Sequence, residues 1–272
     1  MIKRAAGLAC AIGLCAATFA AAQVADLRST TAFRVCADPA NAPMSVKDGD
    51  GFENRLAELF AEQLGLPLTY FWFPSGMGFI TRTLRAGECD VVMGYAQGDE
   101  LVQNTNHYYT SVFGIVARKD SPLAGVDHLT DPALKDNDLG VIAGSPPATI
   151  MARAGLAKDL RGGDLFVDRR IKDPVGEMIE GVRSGSLDAA VLWGPLAGPR
   201  VKDDPDLRFT PLLKETTGPH MFYRITMGVR IGEDEWKREL NSEIRRNQDA
   251  INTILRDAGV PLADDYGKAL LE

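Results

Sequence analysis

Apolar runs of strand length alternate with amphipathic helical stretches along almost the whole chain, and this alternation restricts it to an α/β architecture with largely parallel strands. "FRVCA" at 33–37 reads as the first strand. "FENRLAELFAEQLG" then sets Phe52, Leu56, Leu59, Phe60 and Leu64 on one helical face and stops at Gly65, which accepts the left-handed conformation of a helix end. "PLTYFWF" returns as a strand, "GFITRTLRAG" forms a short helix and "DVVMG" a buried strand. A second set follows Asp120: strand "DLGVIAG", helix "PPATIMARAG" with Pro tolerated in its first turn, strand "LFVD" at 165–168, helix "DPVGEMIEGVRSG" and strand "DAAVLW". In the second of these helices Val175, Met178, Ile179 and Val182 fall at core spacing. The tail predicts one long amphipathic helix from 234 to 259, with Trp236, Leu240, Ile244, Ile251 and Leu255 on its apolar face.

No low-complexity linker separates the two sets. "RAGECDVV" at 85–92 matches "RSGSLDAA" at 183–190, so that Arg85, Gly87 and Asp90 stand at the same spacing as Arg183, Gly185 and Asp188. Both segments read as a helix end, a left-handed glycine and an Asp opening a buried strand; common ancestry of two halves and a shared way of leaving a helix explain this equally. In open α/β sheets ligands bind beyond the carboxyl ends of the strands. That rule selects 38–45, 73–77 and 94–98 in the first set, and 144–147 and 193–198 in the second. Asp38, Tyr95, Ser145 and Trp193 lie there, without His or Cys, which describes a binding surface better than a catalytic one.

The first residues, "MIKRAAGLACAIGLCAATFAAAQ", carry two cations, a short apolar run and a small-residue end, the layout of a secretory signal peptide cleaved after Ala22. A membrane-spanning helix is disfavoured by the shortness of the run and its small residues, and a lipid-anchored Cys15 by the apolar residues that follow it. Loss of Lys3 and Arg4 would make the formal charge of −7 more negative by two, which excludes nucleic acid as a natural partner. Nothing after residue 22 is long and apolar enough to enter a membrane. Cys36 and Cys89 remain as an even pair without metal-ligand spacing, read first as a disulfide in an oxidising compartment and otherwise as two buried thiols. An in-register pairing of their strands would hold them too far apart, so a bridge needs local staggering. His107, His128 and His220 are scattered, the acidic turns "DDPD" and "DGDG" lack the ligand count of a calcium loop, and no nucleophile elbow, phosphate loop or zinc motif is present. We expect no metal, no cofactor and no catalytic group.

The strings "RVCADP", "GFENRLAELFAEQLGLPL", "GFITRTLRAGECDVVMG" and "YRITMGVR" before a long helix resemble type II periplasmic solute-binding proteins over nearly the whole chain after residue 22. The resemblance implies two α/β lobes, 24–118 plus 225–272 and 119–224, joined by two crossover segments around a central cleft. Within that superfamily, "VCADPANAP", "LWGPLAG" and "KETTGPHMFYRITMGVR" look like the J proteins, MxaJ and XoxJ, that accompany periplasmic PQQ-dependent methanol dehydrogenases. "SPPATIMARAGL" and "KETTGP" lean towards XoxJ, and so towards a lanthanide-dependent, XoxF-type partner.

Against amino-acid-binding members the chain departs in four places. The position of the carboxylate-binding Arg falls near Leu101, that of the ammonium-binding Asp near Trp193, and that of the aromatic after the first strand at Met44, while Pro146 and Pro147 remove two backbone donors from the second lobe's turn. A cleft that has lost its charge clamp should bind neither free amino acids nor organic anions. Its aromatic and apolar residues suit a protein surface, with Trp193 and Tyr95 as anchors, Phe73 in support, and Asp38, Met44, Leu101 and Ser145 around them. The expected function is a non-catalytic periplasmic accessory protein that binds a methanol dehydrogenase and helps it mature. The alternative is a transporter's binding protein for a small uncharged or aromatic ligand, and an enzyme on this fold is disfavoured by the lack of a paired acid and base.

Overall fold

The computed structural model describes residues 27–165, 167–216 and 218–271. The leader read in residues 1–22 lies outside them.

The first half of the sheet is built on β1 (Phe33–Ala37), flanked by two parallel neighbours, β4 (Leu68–Trp72) and β5 (Val91–Ala96). Between β1 and β4 run the short hairpin β2 (Ala40–Asn41) and β3 (Ser45–Val46), then α1 (Phe52–Leu64). Phe52, Leu56 and Phe60 of α1 are fully buried against Phe33 and Val35, while Leu59 and Leu64 only flank that core. Gly65 ends the helix at φ 65°, a conformation a side chain would strain. After β4 come α2 (Phe79–Arg82), β5 and the short β6 (Gln103–Asn104).

β7 (Tyr109–Arg118) carries the sheet from one half to the other. Its residues 109–112 pair with β12 (Phe222–Val229), and 113–118 pair with β10 (Ala189–Trp193) on one side and β11 (Leu207–Pro211) on the other. Flanked on both edges, all of β7 but Arg118 is buried. The second half continues in parallel from β10 to β8 (Leu139–Ile142) and β9 (Leu160–Gly163). Its helices are α3 (Pro146–Arg153), α4 (Pro174–Ser184) and α5 (Gly194–Val201). Val175, Met178, Ile179 and Val182 of α4 are buried as their spacing predicts. The full strand order is β4-β1-β5-β12-β7-β10-β8-β9.

Two elements differ from the sequence reading. The long C-terminal helix breaks into α6 (Asp234–Arg246) and α7 (Gln248–Ala258). Asn247 sits at φ −112°, ψ 16° and turns its side-chain amide back onto the Glu243 carbonyl at 2.9 Å, the local competition through which Asn interrupts helices. The apolar face survives, with Trp236, Leu240, Ile244, Ile251 and Leu255 all buried. The strand expected at 165–168 lies earlier, as β9, in the unpromising sequence "LRGG". Backbone pairing with β8 decides its place, and 164–168 becomes part of the loop beyond it; Phe166 lies outside the described residues.

Cys36 and Cys89 form a disulfide with Cα atoms 5.4 Å apart. β1 aligns Cys36 with Val92, so a straight extension of β5 would put Cys89 about 10 Å away along the strand. Cys89 precedes β5, and the turn beginning at Gly87 brings it back over Cys36 and into the cluster of Ile80, Leu84 and Val92. Next to it Asp90 is buried and takes Arg34 at 2.7 Å, Arg230 at 2.6 Å and the Ser29 amide at 3.0 Å. Burial pushes this carboxyl up, but those partners outweigh it and hold it below the usual range. Gly87 and Gly185 share positive φ; Asp90 donates its backbone N–H to the Arg34 carbonyl in β1, and Asp188 donates its own to the Asp138 carbonyl just before β8.

Candidate functional site: a two-chambered cleft

Two cavities meet at Gly94 of β5. One, of about 520 Å³, is walled by the carboxyl ends of β1 and β5 and the loops after β1 and β4. The other, of about 380 Å³, lies between β5, the end of β10 and the loops after β8 and β9.

The first chamber contains Asp38, Met44, Tyr95 and Leu101. Asp38 is buried, and both its carboxylate oxygens are committed: Oδ1 accepts from the Ala40 amide at 2.9 Å and Oδ2 from the Ser75 amide at 2.6 Å. It therefore joins the loops after β1 and β4 and offers a ligand little. Tyr95 donates its hydroxyl to Asp99 at 3.0 Å, and Asp99 in turn takes the Leu101 amide at 2.8 Å, which fixes the 95–101 loop at the chamber mouth. Met44 packs against the core of the first sheet half and also against the α4–α5 cluster of the second.

The second chamber contains Ser145 and Trp193. Ser145 turns its hydroxyl back to the Ile142 carbonyl at 2.6 Å. Trp193 forms an aromatic group with Phe113, ring centres 5.0 Å apart, and Tyr223 at 5.7 Å, and it flanks three of the hydrophobic clusters. Phe73 lines neither chamber; its ring lies near Phe79 and the Arg82 guanidinium.

Glu53, Asp99, Asp164 and Arg169 all line the chambers and escaped the sequence reading, and two of them alter the character of the cleft. Arg169 lines the second chamber, which overturns the expectation of a cleft without a cation. Its neighbouring acids are engaged elsewhere, Asp168 with Arg170 at 2.6 Å and Asp173 with Arg200 at 2.8 Å. Burial disfavours its charge, and the fields of Asp38 and Asp173 work against that. The displaced strand explains the omission: once β9 ends at Gly163, residues 164–170 are the loop at its carboxyl end and fall under the rule that selected the others. Glu53, in the first turn of α1, is the second. It is 8 % exposed, its Oε1 has no hydrogen-bond partner among the protein groups, and burial pushes its carboxyl up to about 7.

Exposed apolar side chains line both chambers, beside the exposed Asp99 and Asp164: Met77 and Leu101 in the first are 86 % and 46 % exposed, and Leu165 in the second is 46 % exposed. Among the described residues no cluster of His, Cys, Asp or Glu could hold a metal ion, and no helix is long and apolar enough to cross a membrane.

Comparison with known proteins agrees with this architecture. Protein MoxJ of Methylorubrum extorquens is 29 % identical over 94 % of this chain and 93 % of its own. The crystal structure of periplasmic binding protein XoxJ from Methylobacterium extorquens AM1 superimposes with a TM-score of 0.73 at 35 % identity, covering 86 % of this chain and all of that one. That of MxaJ from Methlophaga aminisulfidivorans does so with a TM-score of 0.75 at 26 % identity, over 85 % of this chain and all of that one. These are type II periplasmic binding protein folds. The model of the bacterial extracellular solute-binding proteins, family 3, matches residues 33–255, so this chain, a homologue of MoxJ, belongs to that family.

Proposed function

We propose that the chain is a non-catalytic periplasmic accessory protein that binds a PQQ-dependent methanol dehydrogenase at the mouth of its cleft and assists the enzyme's maturation. The observation that carries the docking site is the set of exposed apolar side chains lining the two joined chambers, Met77 and Leu101 in one and Leu165 in the other. Exposed apolar groups of this size, brought together around a concavity, mark protein contact surfaces. Homology to MoxJ, XoxJ and MxaJ supports the choice of partner, and the higher identity to XoxJ supports the lanthanide-dependent enzyme. Asp38 supports a scaffold role, since its oxygens are spent on loop geometry. Biolayer interferometry of the mature chain against purified dehydrogenase, with and without its cofactor, tests the reading. Micromolar or tighter binding is expected; no binding to either form would refute it.

Arg169 favours a second reading, a transporter's binding protein whose ligand carries an acidic group. A guanidinium with no ion-pair partner among the described residues, in the same chamber as the Phe113–Trp193–Tyr223 rings, would take a carboxylate and stack an apolar body. Calorimetry with aromatic carboxylates separates the two, because the accessory role requires none of them to bind.

A further inference from the structure

The first chamber has an uneven lining. Three carboxyl residues, Asp38, Glu53 and Asp99, face it, and no Lys, Arg or His does. Asp38 and Asp99 are occupied by backbone amides and Tyr95, but Glu53 is not. Its Oε1 lies over the Cα of Gly94, where a Cβ would come within 1.8 Å, so glycine at 94 is what allows the carboxyl to reach the chamber floor. Asn41 lines the same chamber and also touches Met44. Its amide donates to Met44 Sδ at 3.7 Å, while its Oδ1 is buried without a partner. Two buried acceptors thus line one cavity, and a buried acceptor left unmet is costly.

What covers them is adaptable. The Met44 methyl is 3.4 Å from the same point above Gly94 that Glu53 Oε1 approaches, and methionine is unbranched with three rotatable bonds. A rotation of Met44 would open both oxygens to the chamber. With Glu53 ionised the pair presents two unmet acceptor oxygens, and the described lining holds three carboxyl residues in an apolar surround of Met93, Val92 and Ile80, which suits a ligand group that donates hydrogen bonds, carries positive charge and brings an alkyl stem.

We propose that this chamber binds an organic cation, an alkylammonium or guanidinium group, seated between Glu53 and Asn41. Its source is a basic side chain of the docked protein, an assignment that rests on the accessory role above, whereas the chemistry of the chamber does not. Binding a cation favours the carboxylate and expels the proton that burial retains there. The titratable groups around Glu53 are Tyr108 just before β7 and Tyr109 at its start, Tyr70 of β4, Glu58 of α1 and Asp38 after β1; burial raises all three phenols, which keeps them neutral near pH 7.

The test uses the mature chain with n-butylammonium, and n-butanol as its uncharged counterpart. Butylammonium should bind at least tenfold more tightly, Glu53→Gln should remove that preference, and calorimetry at pH 6.5 in buffers of different ionisation enthalpy should register proton release in the parent. Equal binding of the two probes, or an unchanged preference in Glu53→Gln, overturns the proposal; absence of proton release does so even if the variant fails to fold. A second arm measures purified methanol dehydrogenase, whose affinity should fall at least tenfold in Glu53→Gln. If the parent and the variant bind the enzyme equally, the partner is not the source and a free amine is. If the parent does not bind the enzyme at all, the accessory role fails, and the butylammonium arm still decides the chamber.

Discussion

Glu53→Gln should change how stability depends on pH. The Glu53 carboxyl is lifted from an ordinary 4.5 to about 7, by burial alone. A folded-state value above the unfolded one means that the native protein holds more protons than the unfolded chain between those two values, so stability falls as pH rises through that window. By pH 8 the ionised group costs the folded state about 3 kcal/mol relative to pH 4, at 1.36 kcal/mol per tenfold change in proton affinity. Glutamine keeps the shape and removes the titration. It leaves an amide in the same buried place, which costs about 1–3 kcal/mol at every pH and so cannot produce a slope. Urea unfolding of both proteins at half-unit steps from pH 5 to 8 measures the difference. The parent should lose about 2.5 kcal/mol relative to the variant across the series, most of it between pH 5 and 7. Parallel curves would show that Glu53 titrates normally, and would remove the premise that it is held desolvated beneath Met44.

Tyr95→Ala should weaken binding of the dehydrogenase by roughly 2–4 kcal/mol and lower thermal stability less than Trp193→Ala does, because the side chain stands at the chamber mouth, held by Asp99 and packed on the one cluster around the disulfide. Trp193→Ala should instead lower stability by about 3 kcal/mol or more, since the indole flanks three clusters; denaturant midpoints of the two variants, beside their affinities, separate an anchor from a filler. Mass measurement of unreduced protein from which the leader has been removed should find no free thiol, and replacing Cys36 and Cys89 together by Ser should cost about 4 kcal/mol in the chain-entropy account of a loop closed across 53 residues. Arg169→Gln should leave dehydrogenase affinity within a few-fold; if calorimetry then shows an aromatic carboxylate bound by the parent and lost in this variant, the transporter reading prevails.

The apolar periods of this sequence carry the architecture because burial imposes them: α1, α4 and the C-terminal helices all hide the faces that their spacing marks. Such periods are blind to hydrogen-bond pairing, and β9 shows the consequence. "LRGG" has no apolar alternation and becomes a strand because β8 offers it an edge, whereas "LFVD" has the composition of a strand and finds no edge. One displaced strand was enough to hide Arg169, since the rule that locates ligand loops counts from strand ends. Glu53 is hidden for a different reason. An acid in the first turn of a helix is ordinarily an exposed partner of the helix dipole, and nothing near it in sequence says otherwise. Its burial comes from Gly94, forty-one residues on, whose missing side chain lets α1 press a carboxyl onto β5, and from Met44 closing over it. Read from the sequence alone, Leu101 and Trp193 fall near the positions where the resemblance implies charged ligand contacts, and the expectation is a cleft without a charge clamp. The charges return through a helix face and a displaced loop, places that only tertiary contact brings to the chambers. Such a cleft holds the buried acid Glu53 in one chamber and the cation Arg169 in the other, so the ligand or partner that fits it must answer charges that the strand ends alone do not announce.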